Sequence, residues 1–326
     1  MRGLRPPVAV PAADVVGRFR HRLRGIVPAA DLDDAQRVLA AVEDVPWWTV
    51  LETRLLGEAA RTDLLLGVLR DPGASALAHG PIEGARTFAR TWTDDQHPAS
   101  GCNVLWLEWD APVGPREPLL LFGVDQGFWP QHGRAPDPLS ADARIAALRR
   151  CCGAPEDAAR RSALTSFVAH LPPGSRLVCA AWLGVRGLDV DRLFVGMPAY
   201  RVGSWLARTG WPGDRARAES WLDRIAAPWE EAWLQLEVGA DGLLPYLAIE
   251  TPQSARAPGG HREASFLSSL VEQGARPEHV AALVDWRGRR RRGAVVQHRS
   301  FHVKVVLRPD QEPVAKGYFG LHHTAA

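Results

Sequence analysis

The chain has 326 residues, a formal net charge of +2, 46% hydrophobic residues and 23% charged residues, the ordinary balance of a globular protein with a sizeable core. This composition excludes a disordered or collagen-like chain, and the near-neutral charge predicts no general attraction to nucleic acid or to an anionic membrane. We expect a cytoplasmic protein for three reasons. The apolar runs are far shorter than the roughly 18 residues that cross a bilayer, and the opening segment has no secretory signal. The four cysteines also lack C-x-x-C spacing.

Helical spacing of apolar residues dominates the first part of the chain. Residues 12–26 and 31–42 repeat their apolar side chains at the spacing of an amphipathic helix. Residues 50–69 continue with a long leucine-rich stripe. We therefore expect residues 1–75 to form a helical segment that packs on the rest of a single domain, which spans residues 1–326.

Alternating apolar and polar residues then replace the helical spacing. Residues 85–93, 103–110 and 118–125 show this alternation, which predicts three strands. A unit of two helices followed by two strands then occurs three times. Its helices are predicted at 140–152, 155–170, 200–208, 214–227, 262–273 and 276–286, and its strands at 176–185, 191–196, 232–238, 243–250, 300–307 and 314–321.

The strand pairs determine the predicted fold class. Consecutive strands joined by short turns form antiparallel hairpins, and helix pairs between hairpins indicate an α+β fold. We predict a closed antiparallel barrel of about ten strands with the helix pairs outside, because closure leaves no exposed sheet edge. The alternative is an open antiparallel sheet with helices on one face.

Each predicted strand has one apolar face and one face with charged and aromatic residues. The second face is either the solvated side of an open sheet or the polar lumen of a barrel wide enough to hold a ligand. Its many aromatic residues favour the lumen, because a solvated face seldom needs them. The candidate lumen residues are Trp106, Trp182, Trp233, Glu237, Tyr246, Glu250 and His302.

Short signatures of several enzyme classes are absent from the sequence. It contains no P-loop, no G-x-G-x-x-G after a strand, no H-E-x-x-H and no G-x-S-x-G. Paired aspartates lack the third aspartate of a magnesium-diphosphate site. We therefore expect no metal and no cofactor, and a site whose residues come from many strands.

The last two predicted strands carry the only lysines of the chain, Lys304 and the Lys316-Gly317-Tyr318 triplet. With the repeated helix and strand units, they resemble the ABBA-type, or PT-barrel, prenyltransferases, whose members act on indoles, phenols and ribosomal peptides. The resemblance implies a ten-stranded barrel that holds a prenyl diphosphate with cationic and tyrosine side chains. Those residues would be Lys304, Lys316, Tyr318, Arg90 and Arg192.

The resemblance also implies roles for acidic and aromatic residues. Glu108 would receive the N–H or O–H of an aromatic or peptide acceptor. Trp106, Trp182 and Trp233 would shield the allyl cation by cation–π contacts. The expected activity is a metal-independent prenyl transfer, if the protein is active.

A non-catalytic function is the alternative. Residues 302–320 also resemble the ending of uncharacterised bacterial proteins that we associate with ribosomal-peptide natural-product clusters. An accessory protein of this kind would bind or protect a precursor peptide, beside a partner protein of the same pathway. The basic run at 287–292 is either a solvated loop or a peptide site in which Arg289, Arg290, Arg291 and Arg292 bind acidic groups. The set of phosphate-contacting cations in the lumen distinguishes the two functions. A transferase needs every one of these contacts, whereas a binding protein can lose one.

Overall fold

The computed structural model describes residues 12–42, 48–56, 61–113, 116–124, 140–226, 230–251 and 261–325. The helices in these ranges are α1 Ala12–Leu23, α2 Ala29–Ala41, α3 Arg70–Ala78, α4 Glu83–Trp92, α5 Ala141–Cys151, α6 Ala158–Ala169, α7 Val202–Arg208, α8 Arg215–Ala226, α9 His261–Glu272 and α10 Pro277–Trp286. The strands are β1 Trp48–Arg54, β2 Thr62–Leu69, β3 Val104–Trp109, β4 Leu119–Gly123, β5 Arg176–Trp182, β6 Asp191–Pro198, β7 Glu231–Gly239, β8 Gly242–Glu250, β9 Gly288–Arg292, β10 Val295–Leu307 and β11 Val314–Ala325. None of the described helices has the length and apolar character needed to span a bilayer.

Ten of these strands close into an antiparallel barrel. The order runs β1-β2-β3-β4-β5-β6-β7-β8-β10-β11, and β11 pairs with β1 to complete the ring. Strand β9 pairs with β10 outside the ring. The predicted barrel is therefore confirmed, and the open-sheet alternative is wrong.

The barrel wall has two differently packed faces. On β3, Leu105 and Leu107 point outward and join the main apolar core beneath the helices, whereas Trp106 and Glu108 point inward. Successive strand residues point to opposite faces, so every strand supplies both layers. Because the helices cover the outer face, the inward residues define a separate interior.

The leucine-rich stripe at 50–69 is not a helix. It forms the β1–β2 hairpin, so α1 and α2 are the helices that precede these strands in the described part of the predicted N-terminal segment 1–75. Every residue of β2 is buried, because helices cover its outer face and the lumen wall is apolar at its inner face. A strand buried on both faces shows a continuous apolar run, which does not distinguish a strand from a helix.

The strand predicted at 85–93 is also wrong, because this segment forms α4. Its buried residues Ala85, Phe88, Ala89 and Trp92 follow helical spacing and face the core. Arg90 lies on the exposed side of this outer helix. It therefore does not reach the lumen, and this position gives no support to its predicted role in diphosphate binding.

The arginine run forms a strand where the sequence predicted a loop. Arg289 to Arg292 lie in β9, where all four side chains are exposed. Their strand pairs with the first half of β10, outside the closed ring. The arginines are therefore separate from the lumen.

Candidate functional site in the barrel lumen

The barrel lumen contains a cavity of about 70 Å³. All ten barrel strands contribute to its lining, which is mainly apolar and aromatic. The lining residues are Val50, Leu65, Trp106, Glu108, Leu121, Val178, Cys179, Phe194, Val195, Trp233, Leu234, Gln235, Glu250, His302 and Tyr318. An apolar and aromatic lining with a few polar groups is typical of a small-molecule site.

A glycine on β2 makes room for the indole ring of Trp106 in the wall. Gly67 on β2 lies opposite Trp106 on β3. A Cβ atom at Gly67 would lie 3.1 Å from the Trp106 ring and 3.2 Å from Trp48 Cβ. The indole of Trp106 therefore occupies space that any larger residue at position 67 would take.

A charged cluster occupies one end of the lumen, around a buried carboxylate. Glu52 on β1 is 1% exposed. Its Oε1 lies 3.2 Å from Lys304 Nζ and 2.5 Å from Lys316 Nζ. Lys316 Nζ also lies 2.9 Å from Asp63 Oδ2 on β2. The two lysines, which are register partners on β10 and β11, therefore share one carboxylate.

The ion pairs determine the charge states in this cluster. Burial alone would raise the pKa of Glu52, but Lys304 and Lys316 outweigh it and hold that pKa far below its usual range. Burial likewise opposes the charge on Lys316, yet Glu52 and Asp63 raise the pKa of its ammonium group. Burial, with the charge of Glu52, raises the pKa of Asp63 despite the neighbouring lysine. Both Glu52 and Lys316 are thus charged at neutral pH.

A second ion pair lies farther around the barrel. Arg192 on β6 faces Glu237 on β7, with 2.5 Å between Arg192 Nη2 and Glu237 Oε1. The same guanidinium lies 4.7 Å from the centre of the Tyr246 ring. Burial opposes the charge on Arg192, but Tyr246 and Glu237 raise its pKa. Arg192 is therefore a lumen residue that is already paired, and its role in diphosphate binding stays a prediction.

A third ion pair joins Arg186, which follows β5, to carboxylates of β3 and the residue after it. Arg186 ends a short 3-10 helix after β5, and its Nη2 lies 2.6 Å from Glu108 Oε1 and 2.6 Å from Asp110 Oδ1. Burial raises the pKa of Glu108, but Arg186 outweighs this effect and leaves that pKa below its usual value. Glu108 thus lines the cavity as a paired carboxylate.

The polar group that borders the cavity beside the lysines is Glu250. Its Oε1 accepts a hydrogen bond from the Gln235 amide, and its Oε2 lies 3.7 Å from His302 Nε2. The His302 ring stacks on Tyr318 with 3.8 Å between centroids. Lys304 Nζ lies 5.1 Å from the centre of the Tyr318 ring. The stacked rings of His302 and Tyr318 thus lie between the cavity and the charged cluster.

Most of the predicted lumen residues do converge on this interior. The structure places Trp106, Glu108, Arg192, Trp233, Glu237, Tyr246, Glu250, His302, Lys304, Lys316 and Tyr318 there. Lys304 and Lys316 share one face, as the sequence predicted. Their roles in binding or catalysis stay predictions.

Trp182 is an exception among the aromatic residues. A β-bulge between Leu177 and Cys179 shifts the alternation of β5, so Val178 and Cys179 both face the cavity and Trp182 faces outward. Trp182 Nε1 donates to Asp189 Oδ1 at 3.2 Å. A bulge adds one residue to a strand and reverses the faces beyond it, and the sequence carried no sign of it.

Three charged residues at the lumen, Glu52, Asp63 and Arg186, are not among those predicted from the sequence. Glu52 and Asp63 lie in the leucine-rich stripe that was assigned to a helix. A strand assignment of 48–54 would have shown Glu52 in alternation with Val50 and Trp48. Arg186 follows a strand in a short helical turn, and no local pattern marks it.

Comparison with known proteins supports the fold assignment. The structure is similar to 5-dimethylallyl tryptophan synthase from Streptomyces coelicolor, solved in complex with DMASPP and Trp, with a TM-score of 0.54, 17% identity and coverage of 96% of this chain and 95% of that chain. It is also similar to 6-dimethylallyltryptophan synthase from Micromonospora olivasterospora, with a TM-score of 0.54, 14% identity and coverage of 95% and 97%. The prenyltransferase PriB, in a ternary complex with L-tryptophan and dimethylallyl thiolodiphosphate, has a TM-score of 0.54, 13% identity and coverage of 95% and 96%.

These neighbours share the barrel architecture and little sequence. No family model and no curated protein matches the sequence. The chain thus has the fold of the ABBA-type aromatic prenyltransferases, as the sequence resemblance implied. At this level of identity the likeness concerns the fold, and the chemistry of the site has to be argued from its own residues.

Proposed function

We propose that this protein binds an aromatic ligand in the lumen of a prenyltransferase-type barrel and holds it without a diphosphate. The cavity offers the rings of Trp106, Phe194 and Trp233 as flat packing surfaces. Glu108 and Glu250 supply carboxyl groups at its edge, which accept an N–H or O–H from a ligand. These features suit an indole or phenol group, either free or on a peptide.

The observation that carries this proposal is the pairing of the cations. Lys304 and Lys316 contact Glu52, and Arg192 contacts Glu237. A diphosphate has to displace these carboxylates or add its negative charge beside them, and like charges at short distance in a buried site are strongly unfavourable. The cation cluster is therefore satisfied within the protein, which favours a binding function over a transferase.

Prenyl transfer is the second candidate function, and the shared fold with the Lys316-x-Tyr318 pair beside the cavity favours it. In this reaction Lys304 and Lys316 leave Glu52 and bind the diphosphate as the allylic C–O bond breaks. The acceptor then forms the new bond to the allyl carbon. Glu108 takes up the proton that the acceptor loses, so that charge and atoms balance.

Calorimetric titration distinguishes the two candidates. We expect indole to bind the folded protein and dimethylallyl thiolodiphosphate to show no heat of binding at 25 °C. Tight binding of the thiolodiphosphate, or a prenylated product by mass spectrometry with dimethylallyl diphosphate and indole, would favour prenyl transfer. Absence of indole binding would overturn the proposal of an aromatic ligand.

The variant Glu52→Gln tests the pairing argument directly. Without the carboxylate charge, Lys304 has no carboxylate contact and Lys316 keeps only Asp63, so the pair has a net positive charge to offer an anion. Inorganic pyrophosphate is expected to raise the melting temperature of Glu52→Gln and to leave that of the wild type unchanged. Glu278→Gln, a matched change on the exposed side of α10, serves as the control. Equal effects on Glu52→Gln and the wild type would show that Glu52 does not exclude the anion.

A precursor-peptide partner is a separate hypothesis that rests on β9. Its four exposed arginines have no ion pair with a carboxylate among the described residues. Clustered guanidinium groups bind carboxylates through paired hydrogen bonds. Binding of an acidic peptide that is lost when Arg289 to Arg292 are replaced by serine would support this hypothesis, and unchanged binding would contradict it.

A further inference from the structure

Glu250 differs from the other carboxylates of the lumen in its partners. Glu52, Glu108 and Glu237 each contact a lysine or an arginine. Glu250 contacts the neutral amide of Gln235 and lies near the ring of His302. Lys304 is its register partner on β10, yet the Lys304 ammonium group is directed to Glu52. Glu250 therefore has no cation of its own among the described residues.

The histidine beside Glu250 does not supply the missing charge. Burial, with the nearby charge of Lys304, lowers the pKa of His302 to about 3. The ring is held in place by stacking on Tyr318. His302 is thus neutral at physiological pH, so both side chains in direct contact with the Glu250 carboxyl group, Gln235 and His302, are uncharged.

The sum of charges in the lumen leads to the same conclusion. Among the residues that the structure describes, the lumen contains five carboxyl groups, from Glu52, Asp63, Glu108, Glu237 and Glu250, and four cations, from Arg186, Arg192, Lys304 and Lys316. Arg54 and Arg308 lie at strand ends, where solvent reaches them. The described lumen therefore has one more carboxyl group than it has cations.

The lining of the cavity has the composition of a cation site. No lysine or arginine is among the described residues that line it, whereas Glu250 and the rings of Trp106, Phe194 and Trp233 are. Aromatic faces attract organic cations, and cages of such rings recognise alkylated ammonium groups. A carboxyl group at the edge of an aromatic cavity adds a direct ion pair.

We infer that the lumen binds an organic ammonium ion, a protonated amine carried on an aromatic or apolar group, which pairs with Glu250 and packs on the rings of Trp106 and Trp233. The inference rests on the proposed function, because it names the ligand class of the same cavity. A lumen of this kind prefers a cationic ligand, whereas a site built for a prenyl diphosphate prefers an anion.

Three indole probes with side chains of different charge test the inference. Tryptamine is a cation, 3-methylindole is neutral, and indole-3-acetate is an anion at pH 8. By calorimetry at pH 8 we expect tryptamine to bind at least tenfold more tightly than 3-methylindole, and indole-3-acetate to bind more weakly than both. Equal affinity for the three probes would overturn the ammonium proposal and leave the aromatic-ligand proposal in place. Absence of binding by all three would overturn both.

The variant Glu250→Gln identifies the residue responsible. It is expected to lose at least tenfold in affinity for tryptamine and to keep its affinity for 3-methylindole within twofold. Glu278→Gln, which removes the same charge from the surface, should bind both probes as the wild type does. Retention of the tryptamine preference by Glu250→Gln would overturn the assignment.

A pH titration of the wild type gives a test that needs no variant. The groups that face Glu250 are Gln235 from β7, His302 and Lys304 from β10, Tyr318 from β11, Glu52 from β1 and Glu108 from β3. Burial raises the pKa of Glu250 to about 7. Affinity for tryptamine should therefore rise between pH 6 and pH 8, while affinity for 3-methylindole stays constant. Parallel curves for the two probes would contradict the ion pair.

Discussion

The lumen has two regions with opposite chemistry, although the same strands build both. On β1, Val50 belongs to the apolar wall and Glu52 to the charged region. On β3, Trp106 belongs to the apolar wall and Glu108 to the charged region. Each pair is two residues apart, so both members point inward, separated by about 7 Å along the strand. Alternation therefore determines which side chains enter the lumen, and position along the strand determines whether they meet apolar groups or charges.

The two regions also contribute to stability in different ways. The apolar wall is stabilised by removal of side chains from water, at about 25 cal/mol per Å². The charged cluster is stabilised only while each buried ion keeps its partner, because transfer of an ion from water is unfavourable by several kcal/mol. Removal of one charged group should thus lower the stability strongly in the cluster. In the apolar wall, the loss of stability should scale with the buried area that is removed.

The largest effect is expected for Glu52→Gln. The change leaves Lys304 without its carboxylate contact and Lys316 with Asp63 alone. Breaking a buried ion pair on one side destabilises a protein by about 3–5 kcal/mol. Urea unfolding at pH 7 measures the change, with Glu278→Gln as the control. A loss below about 1 kcal/mol would show that the cluster is solvated rather than buried.

Glu250 should show its effect in the pH dependence of stability. Burial raises its pKa from the ordinary value of 4.5 to about 7 in the folded state. Between these values the folded state holds the proton that the unfolded state has lost, so this group lowers stability as pH rises through that window. The contribution amounts to about 3 kcal/mol.

The comparison of wild type with Glu250→Gln isolates this contribution. His302 and His322 have pKa values lowered to about 3, and between about 3 and 6.5 they give the opposite slope. Because both proteins keep these histidines, their effect cancels in the difference. We expect Glu250→Gln to gain stability relative to the wild type between pH 5 and pH 8 in urea unfolding. A difference independent of pH would contradict the buried state of Glu250.

Leu65→Ala tests the apolar wall, with a smaller expected effect. Leu65 borders the cavity, so part of its side chain faces empty space rather than packed neighbours. Leucine-to-alanine changes in cores cost about 2–5 kcal/mol, and a site beside a cavity should lie near the lower limit. Urea unfolding checks this value. A loss well above about 4 kcal/mol would show that the wall is tightly filled.

The smallest effect is expected for Arg90→Ala, which lies outside both regions. Its side chain is exposed on α4, and surface changes of this kind usually stay within about 0.5 kcal/mol. Thermal unfolding and titration with 3-methylindole should both match the wild type. A weaker affinity for the probe would place Arg90 near the lumen, against its position in the structure.

The sequence by itself determined the architecture and much of the interior. Helix pairs between hairpins indicated a closed barrel, and strand alternation indicated which faces of β3, β7, β8, β10 and β11 point inward. Lys304 and Lys316 were placed on one face because a short turn joins their strands. These predictions succeeded because a strand has a fixed period of two residues, so local pattern is sufficient.

Only the tertiary structure decided which charges meet. Glu52 and Lys304 are 252 residues apart in the chain, and closure of β1 against β11 brings them together. The register of that closure is set by all ten strands, so no local pattern could reveal that one carboxylate neutralises both lysines. The bulge in β5 likewise turned Trp182 away from the lumen, because one added residue reverses the faces of a strand.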